Sequence, residues 1–152
     1  MTILDVWVPG VPEPQGSLKA FVIGGKARLT STNKRLKSWR SDVCDAVAAV
    51  IGPRPQAFLG PMVVHCHFWF ARPASQSGKK GLLPSAPREK ITRPDIDKLL
   101  RGACDALTIA GVWADDSQVV TIVGHKKFAG EGETVGARIL VTSAEEAPAE
   151  CP

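Results

Sequence analysis

Apolar and polar residues alternate over residues 3–8, with Leu4, Val6 and Val8 on one face and Ile3, Asp5 and Trp7 on the other; this is a strand pattern. A Pro/Gly-rich stretch, residues 9–14, ends it in an extended loop. Phe21-Val22-Ile23 and Lys26-Ala27-Arg28-Leu29 flank Gly24-Gly25, a pair suited to a two-residue hairpin turn. Leu36, Trp39, Val43, Val47 and Val50 then recur at helical spacing, after N-cap candidates at residues 30–33 and before a stop at Gly52-Pro53. Residues 62–70 alternate again: Val64, Cys66, Phe68 and Phe70 oppose Val63, His65, His67 and Trp69. So few polar side chains predict a central strand. Residues 72–88, rich in Pro, Ser, Gly and Lys, read as a mobile basic loop.

A second helix is predicted over residues 94–110, where Ile96, Leu99, Leu100, Ala103 and Leu107 form one apolar stripe and Gly111 ends it. A turn at residues 113–117 leads to strands over 119–128 and 135–141, joined by a longer hairpin loop at 130–133. The order β-ββ-α-β-α-ββ predicts a single small α+β domain over residues 1–142, two main helices packed on a mixed or antiparallel sheet. Residues 143–152 read as an acidic, disordered tail.

At 152 residues and 44% hydrophobic content, the chain is long enough for a real core without disulfides or a structural metal. Its apolar runs are too short for a membrane span. The first residues lack the basic-then-apolar pattern of a secretory leader, and the four cysteines include no Cys-x-x-Cys pair, so a reducing cytoplasm is expected. The net charge of +4 is modest but unevenly distributed. Residues 16–40 hold seven basic side chains (Lys19, Lys26, Arg28, Lys34, Arg35, Lys37, Arg40) and no acid, whereas acids collect between Asp95 and Asp116. A basic surface around an acidic focus suits a polyanionic partner, although basic runs are also ordinary solvated faces.

Arg93-Pro94-Asp95-Ile96-Asp97-Lys98 carries the most chemistry. Acids at i and i+2 do not share a helix face, so Asp95 and Asp97 meet at one site only if Asp95 stands at the helix mouth. Asp115-Asp116 follows the helix after a short turn. Carboxylates from a helix start and a neighbouring turn suit Mg²⁺, which takes oxygen ligands and keeps waters that a substrate phosphate can replace. Arg101 or Lys98 would stabilise developing charge. The same acids also serve as ordinary helix caps and turn residues.

Residues 93–107 (Arg-Pro-Asp-Ile-Asp-Lys-Leu-Leu-Arg-Gly-Ala-Cys-Asp-Ala-Leu), followed by 111–119 (Gly-Val-Trp-Ala-Asp-Asp-Ser-Gln-Val), resemble the signature of the RusA-like Holliday junction resolvases, small endodeoxyribonucleases common in phages and prophages. The resemblance covers most of residues 3–142 in outline and is strong over 93–119. It implies a homodimer that nicks two strands of a four-way DNA junction symmetrically and needs Mg²⁺, for which Mn²⁺ can substitute. By position, it implies that Asp95, Asp97 and Asp116 bind metal and act in catalysis. The family's functional basic residue falls on Arg101, where Lys is typical. Arg keeps the charge but cannot serve as a general base, and Lys98 is the nearest alternative. Asp105 is expected to be a surface or interface residue, and Asp115 to tune the site. A phage origin would place the protein in the host cytoplasm.

The seven early cations, with Lys126, are the DNA-contact candidates, positioning the backbone rather than reading sequence. His125 is also read as meeting phosphate, and alternation lets at most one of Lys126 and Lys127 face the site. His65, Cys66 and His67 lack further metal-ligand spacing and read as a sheet face, not a zinc site. Trp39 and Trp69 are expected in the core, with Trp113 beneath the acidic turn. Alternatives are a nuclease acting on forks or flaps, a non-catalytic DNA-binding dimer, and a phosphotransferase or phosphatase using Asp-x-Asp.

Overall fold

The computed structural model describes residues 1–16, 18–31 and 33–144. The tail expected from residue 143 therefore lies outside the described residues from 145 onward, as does the side chain of Lys19. Among the described residues, eight strands and two α-helices are formed: β1 (Thr2–Pro9), β2 (Leu18–Ile23), β3 (Lys26–Ser31), α1 (Leu36–Ile51), β4 (Met62–Phe70), the two-residue strands β5 (Ser77–Gly78) and β6 (Gly81–Leu82), α2 (Ile96–Ile109), β7 (Val119–Phe128) and β8 (Gly136–Ser143).

Four strands make the main sheet in the order β1-β8-β4-β7. β8 runs antiparallel to both β1 and β4, and β7 runs parallel to β4. The fold is thus the α+β domain with a mixed sheet, and β4 is central as its apolar pattern requires. The last two strands do not form a hairpin. They flank β4 on opposite sides, and the linker between them crosses the end of β4, where Ala129 N–H donates to the Phe70 carbonyl (2.8 Å). The linker, residues 129–135, spans two strand spacings, about 10 Å, with length to spare, so loop length alone did not force pairing.

Both helices cover one face of the sheet. Leu4, Val6 and Val8 of β1, Val64, Cys66 and Phe68 of β4, and Ala137, Ile139 and Val141 of β8 are buried against Leu36, Trp39, Val43 and Val47 of α1 and Leu99, Ala103 and Leu107 of α2. Val50 continues the α1 period but is 53% exposed, and it is Ile51, the next residue, that packs against the core. Gly124 of β7 lets α2 approach closely: a Cβ there would stand 2.9 Å from both Leu100 methyls.

The opposite sheet face carries no helix among the described residues. Trp69 lies there, not in the helix-side core, because its odd position on β4 points it away from α1 and α2. Its ring meets Trp7 (5.3 Å between centroids) and His67 (5.9 Å), and His67 stacks on His125 (4.8 Å). Burial and the neighbouring His125 hold the His67 pKa below its ordinary value.

β2 and β3 form a separate two-stranded ribbon turned by Gly24 and Gly25, both at positive φ. Residues 72–88, expected to be a mobile loop, are tied down. Arg72 donates to the carbonyls of Ala129 (2.9 Å) and Pro87 (2.6 Å) and to Gln76 Oε1 (3.0 Å), and β5 pairs with β6.

Candidate active site

The acidic segment opens α2. Asp95 is the N-cap residue, in extended conformation, but its side chain makes no capping hydrogen bond. Its carboxylate faces only Lys98 Nζ, at 3.6 Å, and both side chains are about half exposed. Asp97 lies in the first turn of α2, where the positive end of the helix dipole favours a carboxylate. It is exposed, and its side chain has no hydrogen-bond or ion-pair partner among the described residues. Arg101, one turn further along, is exposed and equally unpartnered.

Asp116 comes from the turn after α2. Buried Trp113 anchors that turn, its indole N–H donating to Thr108 Oγ1 at 2.7 Å. Asp115 shapes it by accepting from Ser117 N–H at 2.8 Å, and the Ser117 hydroxyl first, then this backbone bond, lower the Asp115 pKa. Gln118 closes the turn: its side-chain oxygen accepts from the backbone N–H of Ala114 and Asp115, and its amide donates to the carbonyls of Phe58 and Gly60. Asp116, the first residue of this short helical turn, is left exposed with a free carboxylate. The turn packs against α2. Burial raises the Cys104 thiol pKa to about 11, and the charge of Asp116 adds to that rise.

Asp105 has a different fate. It accepts from Arg40 Nη2 at 3.2 Å, and the same nitrogen donates to Gln15 Oε1 at 2.7 Å. The pair thus joins α1, α2 and the segment before β2. A second tie to that segment is the Gln15 N–H bond to the Lys98 carbonyl (2.9 Å). Gly102 makes room for it, since a Cβ there would lie 3.1 Å from the Glu13 carbonyl oxygen.

These ties leave a groove of about 990 Å³ beside Asp95, bordered by residues 11–16, the Asn33–Arg35 turn, the end of β4 and residues 90–98. Lys34, Arg35, Lys90, Arg93 and Lys98 line it, against the acids Glu13 and Asp95. The side chains of Lys34, Arg35 and Arg93 have no hydrogen-bond or ion-pair partner among the described residues. Glu13 and Asn33, which hydrogen-bond at 3.1 Å, carry no signal in the sequence because only the fold brings residues 20 apart together.

The chain matches the family model described as endodeoxyribonuclease RusA over residues 9–139. It belongs to the RusA endodeoxyribonuclease family. The match includes α1, the central strand, α2 and the acidic turn, so the resemblance read from residues 93–119 extends through most of the chain. No curated individual protein matches it.

The basic candidates separate within this RusA fold. Lys26 and Arg28 are exposed on the ribbon, Lys34 and Arg35 line the groove, and Lys37 is exposed on α1. Arg40 is engaged with Asp105 and Gln15. Lys126 donates to two main-chain carbonyls, Thr92 (2.8 Å) and Pro94 (2.6 Å). His125 faces the opposite side of the sheet, stacked on His67, with Lys127 paired there to Glu133 (3.5 Å).

The donors suit a hard divalent cation in kind, being carboxylates with free oxygens. Among the described residues, no three His, Cys, Asp or Glu side chains are gathered closely enough to hold a metal ion.

Proposed function

We propose that this RusA-family protein is a Mg²⁺-dependent nuclease that resolves four-way DNA junctions by paired symmetric nicks, acting as a homodimer in the cytoplasm. The supporting observation is the contrast in partnering along the acidic segment. Asp95 and Asp97 at the start of α2 and Asp116 in the turn after it keep accessible carboxylates, and Asp95 borders a groove with three unpartnered cations.

Asp95, Asp97 and Asp116 would hold the metal only when drawn closer together than they stand here, since no three such side chains are gathered among the described residues. A divalent ion bound there supplies Lewis-acid polarisation of the phosphodiester and lowers the pKa of a bound water. Arg101 stands one turn from Asp97, where its fixed positive charge stabilises the developing phosphorane; it cannot accept a proton at accessible pH. Asp115 and Gln118 hold the Asp116 turn in shape. Lys34, Arg35 and Arg93 would bind backbone phosphates and set the strand's path without reading bases. Lys26 and Arg28 on the exposed ribbon extend the basic surface. Two copies related by a twofold would offer one such site to each of two strands.

The test is cleavage of an end-labelled synthetic four-way junction, with duplex, fork and flap controls, in Mg²⁺ and in EDTA. Paired nicks that need Mg²⁺ and favour the junction are expected. Equal cutting of forks or flaps would make it a broader branched-DNA nuclease. Tight binding without cutting in Mg²⁺ or Mn²⁺ would make it a non-catalytic binder.

A further inference from the structure

We propose that Lys126 is a positioning residue that sets the placement of Asp95, and is not a DNA contact; the inference rests on the nuclease reading above. Lys126 belongs to the helix-facing row of β7, two residues beyond Gly124, on which Leu100 of α2 sits. Two residues along a strand cover about 6.6–6.8 Å, which carries Lys126 past Leu100 towards the start of α2. There its ammonium donates to the carbonyls of Thr92 (2.8 Å) and Pro94 (2.6 Å). Those two carbonyls bracket Arg93, and the second belongs to the residue bonded to Asp95.

The segment has no strand partner from Thr92 to Asp95, so these carbonyls are not fixed by a ladder. Neighbouring ties hold only its upstream part: Phe128 N–H donates to the Arg88 carbonyl (3.0 Å), Glu89 bridges to Lys127, and Lys90 donates to Thr92 Oγ1 (2.8 Å). Lys126 is the side chain that carries the anchoring to the edge of the active site. A Lys suits the task because a compact ammonium offers three donors on a flexible stem. With two donors spent on main-chain carbonyls, the side chain is poorly placed to bind phosphate.

The experiment replaces Lys126 with Met, which keeps the length of the stem and removes the donors. Single-turnover junction cleavage is expected to fall about 10–100-fold, as for residues that orient a metal ligand, while junction affinity changes less than about twofold. Lys126→Arg, which can still donate to two carbonyls, is expected to recover part of the rate. Amide exchange at residues 96–99 should quicken in Lys126→Met, a readout independent of cleavage and of metal. A phosphate-binding side chain would behave differently: the affinity would fall, the salt slope would drop by about one, and the rate on bound junction would be unchanged. That result, or unchanged amide exchange, overturns the proposal. If Lys126→Met does not fold, Lys126→Leu, which also removes the donors, is read the same way. If the wild-type protein cleaves no DNA, the nuclease reading fails, and amide exchange still decides whether Lys126 orders the Asp95 segment.

Discussion

The start and the middle of α2 carry the same kind of side chain in opposite settings. At the start, Asp97 is unpartnered and Asp95 has only a loose ion pair with Lys98. Two turns on from Asp97, Asp105 is bound to Arg40, which also grips Gln15. One pair of acids is kept available and the other acid is used to join three segments. In a helix that folds by burying one apolar stripe, the polar face is free to vary, and what each acid does is decided by what the neighbouring segments bring to it. A guanidinium from α1 reaches Asp105, while a groove opens beside Asp95.

The sharpest break of this comparison is Asp97→Asn. Metal-assisted stabilisation of several kcal/mol corresponds to a cleavage loss of about 10²–10³-fold. Melting temperature should hardly move, and junction binding should be equal or tighter, since a negative charge near phosphate is gone. Loss of folding would place Asp97 with the structural acids.

Arg101 comes next. Arg101→Ala should slow cleavage by about 10²-fold, in the range for losing one charge-stabilising donor, and Arg101→Lys should keep much of the activity. An unaffected Arg101→Ala enzyme would remove this residue from the mechanism. In the groove, Lys34→Ala with Arg35→Ala should weaken junction binding and lower the salt slope by about two, one for each phosphate no longer neutralised.

Asp105→Ala is the complementary case. It should leave the rate on bound junction intact and cost about 1 kcal/mol of stability in urea unfolding, because the pair is partly solvated but hydrogen-bonded.

The smallest expected effect concerns pH. The folded-state pKa of His67 is depressed, so the unfolded chain binds its proton more readily. Stability is therefore lost as pH falls through the ordinary histidine value, about 6.5, and the loss levels off below the folded value. His67→Gln should flatten that part of the stability–pH curve.

Much of this was legible from residue order. The alternation of residues 3–8 and 62–70, the α2 stripe and the Arg-Pro-Asp-x-Asp segment named the elements and the acids, because burial of one face writes a period into the chain. What pairs with what was not written there. The β7–β8 linker allowed either a hairpin or a crossing over β4, and Trp69 has the same period as a core residue while facing the other way. Among the basic residues, Arg40, Arg72 and Lys126 read as surface charge, yet each is spent on groups far along the chain: an acid for Arg40, main-chain carbonyls for Arg72 and Lys126. Charge is visible in a sequence, but the partner that uses it is not.

Gly124 gives the molecule a dimension. Because that residue ends at a hydrogen, the Leu100 side chain of α2 rests where a methyl group on β7 would stand 2.9 Å from both its Cδ atoms. The helix carries Asp97 and Arg101, and the chain entering β7 carries Asp116, so one missing carbon bears on how the two segments of the proposed site meet. Adding it as Ala would act as a shim under Leu100, which must turn aside or carry α2 with it.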